Sequence, residues 1–399
     1  MSESSVMPLH MRRAQFDPAP DLAAAREESG VTRIKTAFGA DAWLVSRHAY
    51  VREVLGDAER FPIAKQTIAR LPGAPEMTPE QLAKINAGNL LGQDPPEHTR
   101  LRRMLTPEFT LRRMRRMEPR VKAIIDEHLD AMEAAGAGVD LVPAFALPIP
   151  SLVICELLGV PYEERAGFQE RTSRMLDVTV PAEERVALQF QSRAYMEDLV
   201  GRIQADPGED LLGMLVREHG DDLTKDELIG IGSLLLFAGH ETTSNMLSLG
   251  TLALLRHPEQ LDLLRKEPER IEATVEELLR WLSIVHSGTT KVAATETRLG
   301  DTVIAAGDLV ICSLPTANRD SGLVPDADRF DLTRGDHGHL AFGHGIHHCL
   351  GAPLARMELK MAFPALFQRF PGLRVADGAE PQFRSFSVVY GLSSLKVAW

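Results

Sequence analysis

The sequence predicts a mainly α-helical protein with small β-sheet regions. Apolar residues recur at intervals of three and four, the period of an amphipathic helix, over much of the chain. Alternation, typical of strands, marks only short stretches, among them residues 302–311 and 386–397 late in the chain. The length of 399 residues would suggest two or three domains, but no internal repeat or low-complexity linker divides the chain. The predicted helical segments are residues 97–117, 121–135, 152–158, 183–203 and 210–219.

Composition and charge argue against several classes of protein. A net charge of −12 and a pI of about 5.6 do not suit a nucleic-acid-binding protein with a basic surface. Three scattered cysteines, Cys155, Cys312 and Cys349, are too few for a disulfide framework or a four-cysteine iron–sulfur centre. The polar N-terminus lacks the apolar stretch of a signal peptide, and no apolar run approaches the roughly 20 residues that span a bilayer. We expect a soluble, cytoplasmic monomer that contacts neither nucleic acid nor membrane.

The N-terminal part of the chain predicts one small strand, a helix and a long loop. Trp43 and Val45 are apolar residues at alternate positions, and Val51 and Val54 follow at helical spacing. Residues 64–91 are rich in proline, glycine and polar residues. A loop of this length is usually functional or mobile.

A long central helix is predicted from the capping box Thr224-x-x-Glu227 to His257. Residues 228–237 are apolar on nearly all faces, so this helix should cross the core. It continues into Ala238-Gly239-His240-Glu241-Thr242-Thr243, where a small pair precedes an acid and a hydroxyl. Such a segment allows polar groups to meet a ligand or water; the alternative is that Thr242 donates a hydrogen bond to its own helix.

The segment Phe342-Gly343-His344-Gly345-Ile346-His347-His348-Cys349-Leu350-Gly351 carries the candidate metal ligand, Cys349. Its glycines permit backbone angles closed to other residues and a close approach to a flat or bulky group. The helix predicted to follow would point its N–H groups at the sulfur and favour the thiolate, the form that binds metal. The alternative is a zinc site, because histidines crowd this segment, although structural zinc usually takes more cysteine.

Charged residues at helical spacing form two candidate pairs and one basic run. His98 and Arg102 are four residues apart and share a helix face, which could hold a carboxylate or be an ordinary basic surface. Glu277 and Arg280 are three apart and can pair, although such pairs occur on many surface helices. The basic run contains Arg112, Arg113, Arg115, Arg116 and Arg120, and is either a solvated face or a docking surface.

The motif Phe342-x-x-Gly345-x-His347-x-Cys349-x-Gly351 resembles the haem-binding signature of the cytochrome P450 monooxygenases, in particular the soluble bacterial members. The resemblance implies the P450 fold in a single domain over residues 1–399, with haem b buried between a long central helix and a cysteine-ligand loop. It makes Cys349 the axial ligand of the iron, where a thiolate helps to break an O–O bond. The other cofactor-binding residues it implies are His98, Arg102, Ala238, Gly239, Lys291, Phe342, Gly343, His347 and Gly351.

The resemblance also assigns roles within this set. His98, Arg102 and His347 would contact haem propionates, whereas Lys291 stands where many relatives have an arginine and offers a point charge without the guanidinium fork. Ala238 and Gly239 would make room for dioxygen.

Two catalytic residues follow from the resemblance. Thr242 would hydrogen-bond the oxygen being activated, and Glu241 would belong to the proton-delivery route, since cleavage of O–O to water needs protons in a dry site.

Two further groups of residues follow from the resemblance. A structural ion pair, Glu277 with Arg280, would be braced by Arg329 from a later segment. The substrate pocket would be lined by Leu90, Leu91, Leu234, Ala238, Val285, Thr289, Val388 and Val389.

The function implied is insertion of one oxygen atom from O2 into a hydrophobic small molecule, by hydroxylation or epoxidation. Polyketides or macrolides, terpenoids, steroid-like compounds and xenobiotics are the substrate classes of similar proteins. The chain has no Gly-x-Gly-x-x-Gly fingerprint, so electrons would come from a ferredoxin and a ferredoxin reductase docking at the basic run. The alternatives are a peroxide-driven haem oxidase and a haem-based ligand sensor or carrier.

Overall fold

The computed structural model describes residues 7–36, 39–63, 78–335 and 337–399. Helices dominate these residues and the strands are short, so the predicted fold class is confirmed. The helices are α1 (Pro20–Glu28), α2 (His48–Gly56), α3 (Pro79–Asn86), α4 (Glu97–Leu105), α5 (Leu111–Ala135), α6 (Pro148–Leu158), α7 (Arg165–Leu176), α8 (Ala182–Ala205), α9 (Leu211–His219), α10 (Lys225–Arg256), α11 (Pro258–Lys266), α12 (Ile271–Leu282), α13 (Leu314–Ala317) and α14 (Ala352–Arg369).

One sheet has four strands in the order β3-β4-β8-β5, and the other described strands form two-stranded pairs. Within the larger sheet, β4 and β8 are parallel and the two outer pairs are antiparallel. The strands are β1 (Arg13–Ala14), β2 (Asp17–Pro18), β3 (Val31–Lys35), β4 (Asp41–Val45), β5 (Thr289–Val292), β6 (Thr297–Leu299), β7 (Thr302–Ile304), β8 (Leu309–Cys312), β9 (Arg374–Val375), β10 (Gln382–Phe383), β11 (Leu392–Ser394) and β12 (Val397–Ala398).

The long helix α10 joins the two largest hydrophobic clusters. Its N-terminal half packs with α6, α8 and α9, and its C-terminal half packs with α5, α12 and α14. The predicted capping box is present, since the Glu227 N–H donates to Thr224 Oγ1 (3.2 Å) and the Thr224 N–H donates to the Glu227 carboxylate (2.8 Å). No helix in the described ranges is both long enough and apolar enough to cross a bilayer.

Two predicted boundaries are wrong. The helix break expected between residues 117 and 121 lies instead between α4 and α5, where Pro107 opens a 3-10 turn. Pro119 is inside α5, because the buried Val121, Ile124 and Ile125 hold that helix against the core. The predicted strand 302–311 is two strands in different sheets, separated by a turn at Gly307 (φ +88°).

Candidate active site

Cys349 ends a tight loop just before α14. Gly343 and Gly345 have φ values of +72° and +71°, in the left-handed region that favours glycine. A Cβ at Gly345 would lie 2.3 Å from the carbonyl oxygen of Leu55, so only glycine fits there. The Cys349 N–H donates to the Phe342 carbonyl (2.9 Å) and closes the loop.

The Cys349 side chain is exposed and lines a cavity. Desolvation by the surrounding protein raises its pKa, while the backbone N–H groups of Gly351 and Ala352 and the charge of Arg102 act in the opposite direction. These groups favour the thiolate, but desolvation is the larger effect and the net shift of the pKa is upward. The thiols of Cys155 and Cys312 are buried elsewhere, and burial raises the pKa of each to about 12.

The cavity, of about 710 Å³, lies between α10 and the cysteine loop. Helix α10 contributes Ala238, Gly239 and Thr242 to its lining, and the loop contributes Cys349 and Gly351. Most of the other lining side chains are aliphatic. The structure therefore brings together the two segments that the sequence analysis placed on either side of a cofactor.

Four basic side chains, His98, Arg102, Lys291 and His347, converge beside this cavity. The rings of His98 and His347 are 4.4 Å apart. Burial lowers the pKa of Lys291, and burial together with Lys291, His98 and Arg102 lowers the pKa of His347 to about 3. Within the described residues, His98 Nε2, His347 Nε2 and Lys291 Nζ have no hydrogen-bond partner. An anion placed among them would accept these bonds and favour the charged forms.

These observations fit haem b. Its propionates would supply the acceptors that the basic cluster lacks, and its apolar edges would meet the aliphatic lining. A Cβ added at Gly351 would meet no atom within 4 Å, so the loop leaves open space next to the ligand sulfur. In the described part of the chain, no three His, Cys, Asp or Glu side chains group as metal ligands, which does not support the zinc alternative.

Thr242 and Glu241 point in different directions from α10. Thr242 lines the cavity, and its hydroxyl donates to the Ala238 carbonyl (2.9 Å), which is the alternative considered for the sequence. Glu241 is buried but does not line the cavity; its carboxylate accepts from Arg384 (2.7 Å) and from Asn245 (3.3 Å). The acid and the hydroxyl thus lie on different sides of the helix.

Gly239 has a packing role besides its place in the cavity wall. A Cβ there would lie 2.7 Å from the side chain of Ile154, so glycine allows α6 to approach α10. Sequence reasoning assigned this glycine to oxygen access alone and missed the helix contact.

Glu277 and Arg280 form a fully buried bidentate pair, with N–O distances of 2.7 and 2.8 Å. The guanidinium also donates to the carbonyls of Asn318 (2.8 Å) and Ala327 (2.7 Å). The prediction that the Arg329 side chain braces this pair is wrong.

Arg329 contributes only its carbonyl oxygen, which accepts from Arg280 (3.2 Å), while its exposed side chain pairs with Asp331. The basic side chains that reach Glu277 from the later segment are Arg334 (3.6 Å) and His337 (3.3 Å).

Seven of the eight predicted substrate-pocket residues line the cavity, and one prediction is wrong. Val389 is buried in the core and bridges to Val285, while its neighbour Val388 faces the cavity. Consecutive residues of an extended segment point to opposite faces, which explains the difference. Of the long loop predicted at residues 64–91, residues 79–86 form helix α3, contrary to the prediction, and residues 64–77 lie outside the described residues. The residues that line the cavity as predicted are Leu90, Leu91, Leu234, Ala238, Val285, Thr289 and Val388.

The basic run lies on the first turns of α5. This helix begins two residues after Phe109, which lines the cavity. Arg112, Arg115 and Arg116 are exposed, and Arg113 pairs with Glu108 (2.7 Å). Leu111 beside them is 69% exposed, an unusual position for a large apolar side chain.

Sequence reasoning missed three charged residues near the site. Arg384, in the C-terminal part of the chain, holds Glu241. Arg185 and Glu358 line the cavity, and Glu358 is fully buried with no partner for its Oε2 among the described residues. An arginine or a glutamate on an otherwise ordinary amphipathic helix carries no local signal of such a position.

Comparisons with known proteins find relatives along the whole chain. The Cytochrome P450 family model matches residues 204–390. Cytochrome P450 FAS1 of Rhodococcoides fascians is 46% identical, over 100% of both chains. The solved structure of P450 StaH from glycopeptide antibiotic A47934 biosynthesis is 45% identical, with a TM-score of 0.87 over 99% of this chain and 100% of that chain. The mycinamicin VIII C21 methyl hydroxylase MycCI from Micromonospora griseorubida, bound to mycinamicin VIII, is 36% identical, with a TM-score of 0.90 over 98% and 99%.

Proposed function

The chain belongs to the cytochrome P450 family of haem-b monooxygenases, and from this premise we propose that it oxidises a hydrophobic secondary metabolite with electrons from an external ferredoxin and ferredoxin reductase. One oxygen atom of O2 enters the substrate, by hydroxylation or epoxidation. The aliphatic cavity beside Cys349 is the observation that carries the substrate class. StaH, from glycopeptide antibiotic biosynthesis, and MycCI, a mycinamicin VIII hydroxylase, support it by similarity. We propose a cytoplasmic, monomeric protein of one domain.

Haem bound here supplies reductive activation of O2, with a thiolate ligand that favours O–O cleavage. Cys349 provides that thiolate, stabilised by the N–H groups that begin α14. His98, Arg102, Lys291 and His347 would hold the propionates. The apolar lining excludes water and receives the substrate.

Protons reach the site through residues of α10. The Thr242 hydroxyl faces the cavity and can rotate from the Ala238 carbonyl to hand on a proton. Glu241 lies on another side of the helix and is paired with Arg384. Once that ion pair opens, its carboxylate can accept a proton from solvent and pass it on toward the site.

The first experiment measures absorption of the dithionite-reduced protein under carbon monoxide. We expect the strong red shift typical of a thiolate ligand, and we expect Cys349→Ser to abolish it while Cys312→Ser retains it. Absence of the shift in the haem-loaded wild type, or its survival in Cys349→Ser, contradicts the proposal.

A second experiment tests Thr242. With reductase, ferredoxin and a turned-over substrate, Thr242→Ala should consume electrons at a similar rate but release peroxide in place of product, because the hydroxyl that passes the proton is gone. Thr242→Ser, which retains the hydroxyl, should restore much of the coupling. Full coupling in Thr242→Ala excludes this role.

A further inference from the structure

Arg185 places a positive charge in the cavity wall, away from the basic cluster. Among the described residues that line the cavity, the charged side chains other than histidine are Arg102, Arg185 and Glu358. Arg102 belongs to the basic cluster described above. Burial lowers the pKa of the lining His10 to about 4, so that ring is neutral at neutral pH. Among the described residues of the cavity wall, Arg185 is thus the cation that lies outside the basic cluster and that a substrate would contact.

Arg185 lies in the first turn of α8. The segment just before this helix pairs with the C-terminal part of the chain. The Val178 N–H donates to the Phe386 carbonyl (2.8 Å) and the Val388 N–H donates to the Leu176 carbonyl (2.9 Å). Val178, Arg185 and Val388 all line the cavity, so the guanidinium stands beside an apolar surface.

The surroundings of Arg185 favour binding of an anion. Burial lowers the pKa of Arg185, while the nearby Asp177 raises it. The Asp177 carboxylate also accepts from the Thr179 N–H (2.8 Å) and hydroxyl (2.6 Å), so its charge is shared with other donors. A guanidinium presents donors in a planar fork that matches the two oxygens of a carboxylate.

We propose that the substrate is a hydrophobic carboxylic acid whose carboxylate is bound by Arg185. This inference rests on the proposed function and narrows its substrate class. The carboxylate would anchor one end of the molecule at the α8 wall and leave the apolar remainder along the aliphatic lining, so that Arg185 selects the substrate and limits which carbon is presented for oxidation.

The test compares decanoate with decan-1-ol, which have the same chain length and differ in charge. Binding of each to the haem-loaded protein is measured by isothermal titration calorimetry at pH 7.5 and low salt. We expect decanoate to bind at least about tenfold more tightly than the alcohol, the smallest effect expected of a charge-assisted hydrogen bond. Arg185→Gln should remove this preference and leave alcohol binding unchanged, and Arg185→Lys should keep part of it.

Two variants serve as controls. Arg202→Gln makes the same change on the same helix, at a residue that pairs with Glu164 on the surface, and should keep the wild-type preference. Asp177→Asn removes the neighbouring negative charge and should strengthen decanoate binding.

The inference is overturned if the wild type does not prefer decanoate, whether or not it binds the alcohol, or if Arg185→Gln keeps the preference. The carbon monoxide spectrum of the same preparation distinguishes failure of this inference from failure of the proposed function. A red-shifted spectrum without an acid preference rejects the carboxylate alone, whereas an unshifted spectrum rejects the proposed function.

Discussion

At the scale of single residues, the informative features are buried polar atoms without partners among the described residues. His98 Nε2, His347 Nε2 and Lys291 Nζ lie together and are explained by one anionic group. Glu358 Oε2 is separate, and no charged group is among the causes that shift its carboxyl group. An isolated carboxylate is costly to bury, so burial favours the neutral form of Glu358, whereas an anion beside the basic cluster would favour the charged forms of its side chains.

Glu358 predicts a pH dependence of stability. Burial raises its pKa well above the ordinary value, so the folded protein keeps the carboxyl neutral while the unfolded chain, with a pKa near 4.3, releases the proton. Its contribution to stability is present below the unfolded pKa and is lost as pH rises toward the folded pKa, by at most about 1.4 kcal/mol per pH unit. Glu358→Gln should therefore raise the melting temperature of the holoprotein more at pH 8 than at pH 5.5.

Thermal unfolding at both pH values checks this expectation. The exposed Glu118→Gln is the matched control and should have little effect at either pH. A gain in Glu358→Gln that is the same at both pH values would show that the carboxyl is not protonated by burial.

At the scale of elements, the cysteine loop and the Glu277–Arg280 pair fix the geometry beneath the cavity. The loop depends on backbone angles and close contact with α2, and the pair joins α12 to the segment that leads into the loop. We therefore expect substitutions in the loop or in the pair to change haem binding by moving the backbone beneath the cavity.

The loop predicts different effects for two similar substitutions. Gly343→Ala meets no atom closer than 4.0 Å and should cost only the roughly 1–2 kcal/mol of a left-handed residue. Gly345→Ala has the same backbone penalty and also places Cβ 2.3 Å from the Leu55 oxygen, so it should lower haem content as well as melting temperature. The ratio of haem to protein absorbance in the purified variants measures this, and equal haem content in the two variants would argue against a tight loop.

The ion pair predicts that charge alone is insufficient at residue 280. Arg280→Lys keeps the charge but cannot make the five contacts of the guanidinium, and should lower the free energy of unfolding by roughly 3 kcal/mol. Arg270→Lys alters a partly exposed pair with Glu267 at the same spacing and should cost less than about 1 kcal/mol. Denaturant unfolding compares the two, and similar losses would mean that burial does not decide the strength of the pair.

At the scale of the whole molecule, charge is unevenly distributed. The chain carries a net charge of −12, yet Arg112, Arg115 and Arg116 are exposed together beside Leu111. A positive patch on a negative protein orients an acidic partner and raises its association rate, whereas a bare solvated surface does not need the apolar residue beside it.

The basic run predicts slower reduction after charge reversal. Arg112→Glu combined with Arg116→Glu should slow haem reduction by a reduced acidic ferredoxin about tenfold or more at low ionic strength, with a smaller difference at high salt. Arg298→Glu combined with Arg374→Glu makes the same charge change at exposed strand residues and should leave the rate within about twofold. Stopped-flow absorbance follows the reaction, and equal rates in the two double variants would remove this surface as the docking site.

The sequence by itself determined the fold class and the central helix, and it identified the candidate ligand loop. These features depend on local periodicity, a capping box and a short motif of fixed spacing, all of which are written in neighbouring residues. Only the tertiary structure decided that Arg384 holds Glu241, that Arg334 and His337 replace Arg329 beside Glu277, that Val389 faces the core, and that Arg185 and Glu358 reach the cavity. Each of these is a contact between side chains distant in sequence, and it depends on how helices and strands pack, which no local pattern encodes.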